Sequence, residues 1–181
     1  MAELLIGCGS RRNRIVGNRD GGPEWRDLVT LDHNPDHKPD VVHDLEVLPL
    51  PFPDERFDEI HAYEALEHTG AQGNWRFFFA QFADFWRLLK PGGLLCGTCP
   101  AHGSRWVWGD PSHRRVIMPE SFTFLDQGHY IEQVWKTAMS DFRFIYQADF
   151  RLVWYHEDAH TFIFALQAVK PSRWRPVPAR L

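Results

Sequence analysis

Three cysteines among 181 residues are too few for a disulfide framework. Cys8, Cys96 and Cys99 fall in or beside apolar runs, where a small thiol is ordinary core filling. Cys96 and Cys99 enclose two residues, yet they sit at a strand end and no second pair completes a zinc site. No metal is therefore expected. Long apolar runs are also missing: nothing approaches the eighteen or so residues of a membrane-spanning helix, so no membrane partner is expected. The amino terminus lacks a basic stretch followed by an apolar run and a cleavage site, and the expected location is cytoplasmic. Neither sign of charge dominates. The 20 Lys and Arg against 24 Asp and Glu leave a net charge of -4, which offers no broad grip on nucleic acid. Nucleic acid is disfavoured as a partner but not excluded, because Arg11, Arg12, Arg14, Arg114 and Arg115 suffice for a local phosphate or carboxylate site. Repeats and an internal linker are absent, which leaves one domain over residues 1–169 and a basic, proline-containing tail over 170–181.

Aromatic residues are plentiful: 14 Phe and 8 Trp can fill a dense core, line a cleft or cover a subunit contact. A monomer and a homodimer are both compatible with that load. Leu4 to Ile6, Val29 to Asp32, Val41-Val42, Phe57 to Ala62 and Leu94 to Cys99 read as short buried strands. Asn74 is placed to cap a helix running to Leu89, with Phe78, Phe82, Phe85 and Leu89 on one stripe. Lys90-Pro91-Gly92-Gly93 should stop that helix in a sharp turn. Tyr63 to Thr69, Glu120 to Phe124 and Tyr130 to Met139 read as short helices. Phe142 to Trp154 alternates like a long strand, with His160 to Val169 as its antiparallel neighbour. Between the first two strands, Ser10 to Arg26 shows no helical period; a shortened helix or a loop is expected there.

The most informative pairing joins Gly7-Cys8-Gly9, at the end of the first strand, to Asp32 at the end of the second. Glycines let a backbone approach a cofactor, and an acid at that distance can accept both hydroxyls of a ribose. Set in order with Val42-His43-Asp44-Leu45, Leu50-Pro51-Phe52-Pro53-Asp54-Glu55-Arg56-Phe57-Asp58, Glu64-Ala65-Leu66-Glu67-His68 and Leu88-Leu89-Lys90-Pro91-Gly92-Gly93, these segments resemble the class I S-adenosylmethionine-dependent methyltransferases, most of all a compact version of the members that act on small molecules. The resemblance covers roughly the first hundred residues. It implies an α/β, Rossmann-like fold: a mostly parallel sheet, an antiparallel C-terminal hairpin and a shortened first helix. It also implies methyl transfer from S-adenosylmethionine to an unidentified acceptor, expected to be a small molecule.

Carried over by position, the resemblance puts Gly7, Cys8 and Gly9 under the methionine part of the cofactor, Asp32 and His33 at the ribose, Asp44 and Leu45 at the adenine, and Glu64 near the sulfonium. His68 is the available base, with His113 as a second. Trp106, Trp108, Arg114 and Arg115 are expected to meet the acceptor, on a segment from His102 to Pro119 that forms a lid or wall over the cleft. The sequence departs from the family pattern where Ser10-Arg11-Arg12 replaces a third glycine. Two other functions fit the same glycine-and-acid pair: a NAD-dependent oxidoreductase, and a non-catalytic protein that keeps the fold for binding or structure. Asp32 with His33 and His37, or His102 with Asp110 and His113, would supply three metal ligands, but neither set has a diagnostic spacing.

Overall fold

Buried side chains recur at every second position of four runs, Leu4 and Ile6, Val29 and Leu31, Ile60 and Ala62, and Leu95 and Cys99, and all face one apolar core. The computed structural model of the chain describes residues 1–17 and 24–176. Its strands are β1 (Ala2–Ile6), β2 (Asp27–Asp32), β3 (Val41–Val42), β4 (Phe57–Tyr63), β5 (Leu89–Pro100), β6 (Phe150–Glu157) and β7 (Thr161–Ala168). They form one seven-stranded sheet in the order β3-β2-β1-β4-β5-β7-β6. The first five strands run parallel; β7 pairs antiparallel with both β5 and β6. This is the α/β, Rossmann-like architecture expected. Strand order reverses between β1 and β4, and ligands of such sheets gather at the carboxyl ends of the strands there.

Helix α1 (Trp75–Leu88) covers the core face. The Asn74 side chain accepts from the Phe77 amide, and Phe79, Phe82, Phe85 and Leu88 are buried along one stripe. Full burial of one such ring contributes about 1.5–3 kcal/mol, so this stripe supplies much of what holds helix to sheet. No helix lies in the described residues between β1 and β2. The central glycines of that link, Gly21 and Gly22, with Arg19 and Pro23, lie outside the described residues.

With no helix there, the second face of the sheet is covered by loop, and its inward positions are polar. Glu3 on β1 and Glu59 and His61 on β4 are all buried. Arg14 reaches in between them, donating to Glu3 and, at 3.0 Å, to Glu59. His61 Nε2 lies 3.0 Å from Glu59, and Trp25 stacks edge-on against His61. Burial pushes Glu59 up, but His61 and Arg14 outweigh it and hold its carboxyl below the usual range.

Several boundaries differ from expectation. Lys90 to Gly93 does not separate helix from strand: β5 starts at Leu89, directly after α1, and the four residues are absorbed as an irregularity between the Phe57–Leu89 and Glu59–Leu94 pairs. The long strand expected from Phe142 begins only at Phe150. Residues 142–149 curl, with the Tyr146 amide donating to the Phe142 carbonyl, because their aromatic rings pack around Phe79 and Trp75 instead of alternating across a sheet. Helix α2 (Trp106–Gly109) falls in a stretch with no helical pattern, α3 spans Pro119–Thr123, and α4 (Gln127–Gln133) starts earlier than expected because Asp126 caps it through the Gly128 amide. The short helix expected over Tyr63 to Thr69 is one 3-10 turn, Leu66–His68. In the C-terminal segment, Arg173 donates to Asp149 and Asp126 and the Trp174 ring nitrogen to the Arg143 carbonyl, so residues 170–176 are fastened to the domain; 177–181 lie outside the described residues.

Candidate active site

The carboxyl ends of β1, β2 and β4 and the loop after β3 open into one cavity of about 540 Å³. Gly7, Gly9, Asp32, His33, Asp44, Leu45, Glu64 and His68 all line it. Its floor is backbone. Gly7 and Gly9 have φ of 59° and 52°, in the left-handed region, and a Cβ on Gly7 would lie 2.8 Å from that of Ala65. Cys8 is different: its side chain is buried in the core, its amide donates to the Leu31 carbonyl, and burial raises its thiol pKa. Cys8 thus supports the floor without facing the cavity.

Asp32 is held from two sides. The Gly9 amide donates to one carboxylate oxygen at 2.9 Å and the Asn34 amide to the other at 2.8 Å. Burial pushes its pKa up, but the Asn34 and Gly9 amides and the neighbouring His37 outweigh it and keep it below the usual carboxylate range. Asp32 is therefore an ionised acceptor, fixed in direction, at the cavity wall. His33 beside it is largely solvent-exposed. Asp44 accepts from the Glu46 amide at 2.9 Å, which fixes the turn carrying Leu45 into the cavity.

The β4 end is built from side chains. Glu64 sits at φ 48°, unusual for a residue with a Cβ, and is pinned there by its amide's bond to the Thr98 carbonyl at 3.0 Å. The Leu66–His68 turn that follows buries Glu67, and no nitrogen donor among the described residues bonds either of its carboxylate oxygens. Burial, with the Glu64 charge alongside, pushes Glu67 up to about 8. The Arg114 amide donates to the Glu67 carbonyl, tying the segment after β5 across the mouth. His113 from that segment meets His68 edge to face, ring centres 4.7 Å apart. A second cavity of about 370 Å³ shares Glu64 and His68 with the first and is otherwise lined by Pro100, Trp106, Asp110, His113, His160 and Thr161.

The four residues assigned to the acceptor separate. Trp106 lines the second cavity; Trp108 is exposed and lines neither. Arg114 is half-exposed and paired with Glu46 at 2.7 Å. Arg115 is buried and donates to the Leu66 carbonyl, Thr69 and Gln81, and burial pulls it down to about 10. Arg115 is thus a brace beneath the Leu66–His68 turn and not an acceptor contact. The arginines do not gather into one patch either: Arg12 bonds the His37 and Lys38 carbonyls, and Arg14 is buried on the far face. Sequence reasoning passed over Glu46, Ala65, Thr69 and Ser112, which also line the first cavity, and gave Glu67 no role. The signal for Glu67 was its spacing, three residues from Glu64 across one tight turn.

Residues 4–97 match a family model described as a methyltransferase domain, more than half of the chain. The chain belongs to this methyltransferase family. S-adenosylmethionine is the cofactor that membership brings. Comparison with curated proteins gives no match. Among solved structures, a SAM-dependent methyltransferase from Archaeoglobus fulgidus is similar at a TM-score of 0.55 and 14% identity, over 92% of this chain and 85% of that one. The YcgJ protein from Bacillus subtilis gives 0.53 and 14%, over 93% and 92%. The N-methyltransferase NodS from Bradyrhizobium japonicum WM9, in complex with S-adenosyl-L-homocysteine, gives 0.53 and 16%, over 92% and 77%. At such identities the likeness concerns the fold. The methyltransferase has no helix among its described residues long and apolar enough to cross a membrane.

Proposed function

We propose that this methyltransferase carries a methyl group from S-adenosylmethionine to a small-molecule acceptor that enters through the second cavity. The observation that carries this reading is the continuous cavity along the β1, β2 and β4 ends, with an ionised Asp32 at one end and Glu64 and His68 at the other. Its volume, about 540 Å³, falls within the range of small-molecule sites. Gly7 leaves room where a Cβ would collide with Ala65, and Gly9 holds the left-handed backbone that continues the floor. Asp32 is the group to accept from ribose hydroxyls, Asp44 to accept from an adenine amine, and Leu45 to pack against the ring. The cofactor supplies an already activated methyl group, so the protein has to align the acceptor and exclude water. Glu64 and His68 line both cavities, where the acceptor must arrive, and His113 stands beside His68 in the second.

A dinucleotide fits less well. A pyrophosphate is ordinarily received at the amino terminus of the helix after the first strand, and no helix follows Gly9 among the described residues. Calorimetric titration of S-adenosylhomocysteine and of NAD, side by side, tests the proposal. Binding of the first and not the second is expected. Folded protein that binds NAD, or neither, overturns it.

A further inference from the structure

Glu67 is the carboxylate among the described residues with both oxygens buried and no nitrogen donor on either; its polar neighbours are the Cys99 thiol and the Glu64 carboxylate. It is 2% exposed, and among the described residues no fixed cation bonds either oxygen. The nearest fixed cation, Arg115, directs its N–H groups to Leu66, Thr69 and Gln81. What Glu67 faces is a pair of imidazoles. Ligand atoms of Glu67, His68 and His113 all lie within 4.8 Å of one another. The Nε2 of His68 is 4.0 Å from Glu67 Oε1.

Both rings are turned the same way. His113 Nδ1 lies 3.2 Å from the Val107 carbonyl, and His68 Nδ1 lies 3.3 Å from the Ser112 carbonyl. His68 Nδ1 also lies 3.1 Å from the Ser112 hydroxyl, which donates to Asp110, so the Nδ1–H tautomer satisfies the acceptors behind both rings and leaves each Nε2 toward Glu67. A ring oriented by a carbonyl behind it, with its other nitrogen bare, is how metal-ligating histidines are held. Asp110 extends the set, 3.9 Å from His113 Nε2.

We propose that Glu67, His68 and His113 bind one divalent transition-metal ion, which receives a hydroxyl oxygen of the acceptor beside the methyl donor. This rests on the methyltransferase reading and narrows its substrate class to alcohols or phenols. Two imidazole nitrogens and a carboxylate suit manganese, iron, cobalt or zinc better than calcium or magnesium, which favour all-oxygen sites. Bonds of about 2.0–2.2 Å require the three side chains to close by roughly an ångström on the ion. The ion lowers the pKa of a hydroxyl bound to it. The hydroxyl proton leaves to water. An oxygen lone pair then forms the O–CH₃ bond while the S–CH₃ pair returns to sulfur, leaving a neutral thioether. The second cavity, with His113, Asp110 and Trp106 in its wall, is where the acceptor body sits.

The test is titration of the EDTA-stripped full chain with Mn²⁺, reading free ion by electron paramagnetic resonance, for wild type, His113→Ala and Glu67→Gln. One ion per chain is expected, with affinity at least about tenfold weaker in each variant that melts cooperatively. Absence of stoichiometric binding in wild type, or binding indifferent to both changes, overturns the site. Proton resonances of bound S-adenosylhomocysteine then report the ion's position. Mn²⁺ should broaden the methylene protons beside sulfur more than the adenine protons; the reverse order overturns its role at the acceptor. Titration of S-adenosylhomocysteine in EDTA separates the two proposals. His113→Ala should leave that affinity within about twofold, since His113 does not line the first cavity. Wild type that takes up Mn²⁺ but no S-adenosylhomocysteine would sink the methyltransferase reading, and with it the ion's role, while leaving the site itself.

Discussion

Two clusters in this molecule have nearly the same ingredients, carboxylates and histidine, one buried on a face of the sheet at β1 and β4 and one in the turn beyond the carboxyl end of β4. In the first, Glu3, Glu59 and His61 surround Arg14, a cation inserted by the chain itself. In the second, Glu67, His68 and His113 come together with no cation seated among them. The consequence shows in the acids: Glu59 is held below the usual carboxylate range, and Glu67 is pushed up to about 8. Burial is the same force in both. What differs is whether the chain supplies the opposite charge. The closed cluster covers a sheet face on which no helix lies among the described residues. The open one puts His68 in the wall of both cavities and His113 in the wall of the second. A buried carboxylate is thus structural when the sequence provides its partner and a candidate for chemistry when it does not.

Breaking the closed cluster should have the largest effect. Arg14→Ala leaves Glu3 and Glu59 buried without their cation, with the Arg26 amide and the His61 ring beside them, and should destabilise the protein by about 3–5 kcal/mol, measured by denaturant unfolding. A loss below 1 kcal/mol would show that the cluster is open to water. Asp32 is an intermediate case, a buried carboxylate satisfied by backbone amides. Asp32→Ala should weaken S-adenosylhomocysteine binding by about 1.5–3 kcal/mol while the chain stays folded, because the acid's remaining acceptor capacity goes to the ligand. Unchanged affinity in a calorimetric titration would remove the ribose assignment.

The open cluster makes a prediction in pH. In metal-free protein the folded state holds the Glu67 proton up to about pH 8, whereas the unfolded chain releases it near the ordinary 4.5. Glu67 therefore makes stability fall as pH rises from about 4.5 to 8, with no further loss above. Thermal melts across that window should show Glu67→Gln flattening the decline, with little effect near pH 5 and a stabilising effect that grows toward pH 8. A destabilised variant with an unflattened profile would mean that Glu67 has a partner. The smallest effect belongs to the rim. Arg114→Ala breaks a half-exposed pair with Glu46 and should change stability by less than about 1 kcal/mol by urea unfolding.

The parts of the fold set by local pattern were legible in the sequence. Alternating apolar residues marked five strands, and Asn74 with its stripe of Phe marked α1, because burial on one face imposes a period. Gly7, Gly9, Asp32, Asp44 and Glu64 in the first cavity were also visible, since each lies at or just beyond a strand end. What local pattern does not carry stayed hidden. Phe142, Phe144 and Tyr146 alternate like a strand yet wrap around Phe79 and Trp75, a choice made by tertiary packing. Arg114 and Arg115 are chemically identical neighbours, and one faces water while the other is buried under a turn. Glu67 and His113 are far apart in sequence, and the amides of Arg114 and Arg115 on the Glu67 carbonyl are what bring them together. No spacing rule reports such a contact.

The central claim is that one cleft holds the methyl donor with its sulfur directed at the Glu67, His68 and His113 cluster. A crystal structure of the chain with S-adenosylhomocysteine and Mn²⁺, with anomalous data, tests it most directly. The expected result is ribose on Asp32, adenine beside Asp44 and Leu45, sulfur toward Glu64 and His68, and one anomalous peak among Glu67, His68 and His113. A nucleoside lodged outside this cavity, or one whose sulfur points away from the cluster, would contradict it.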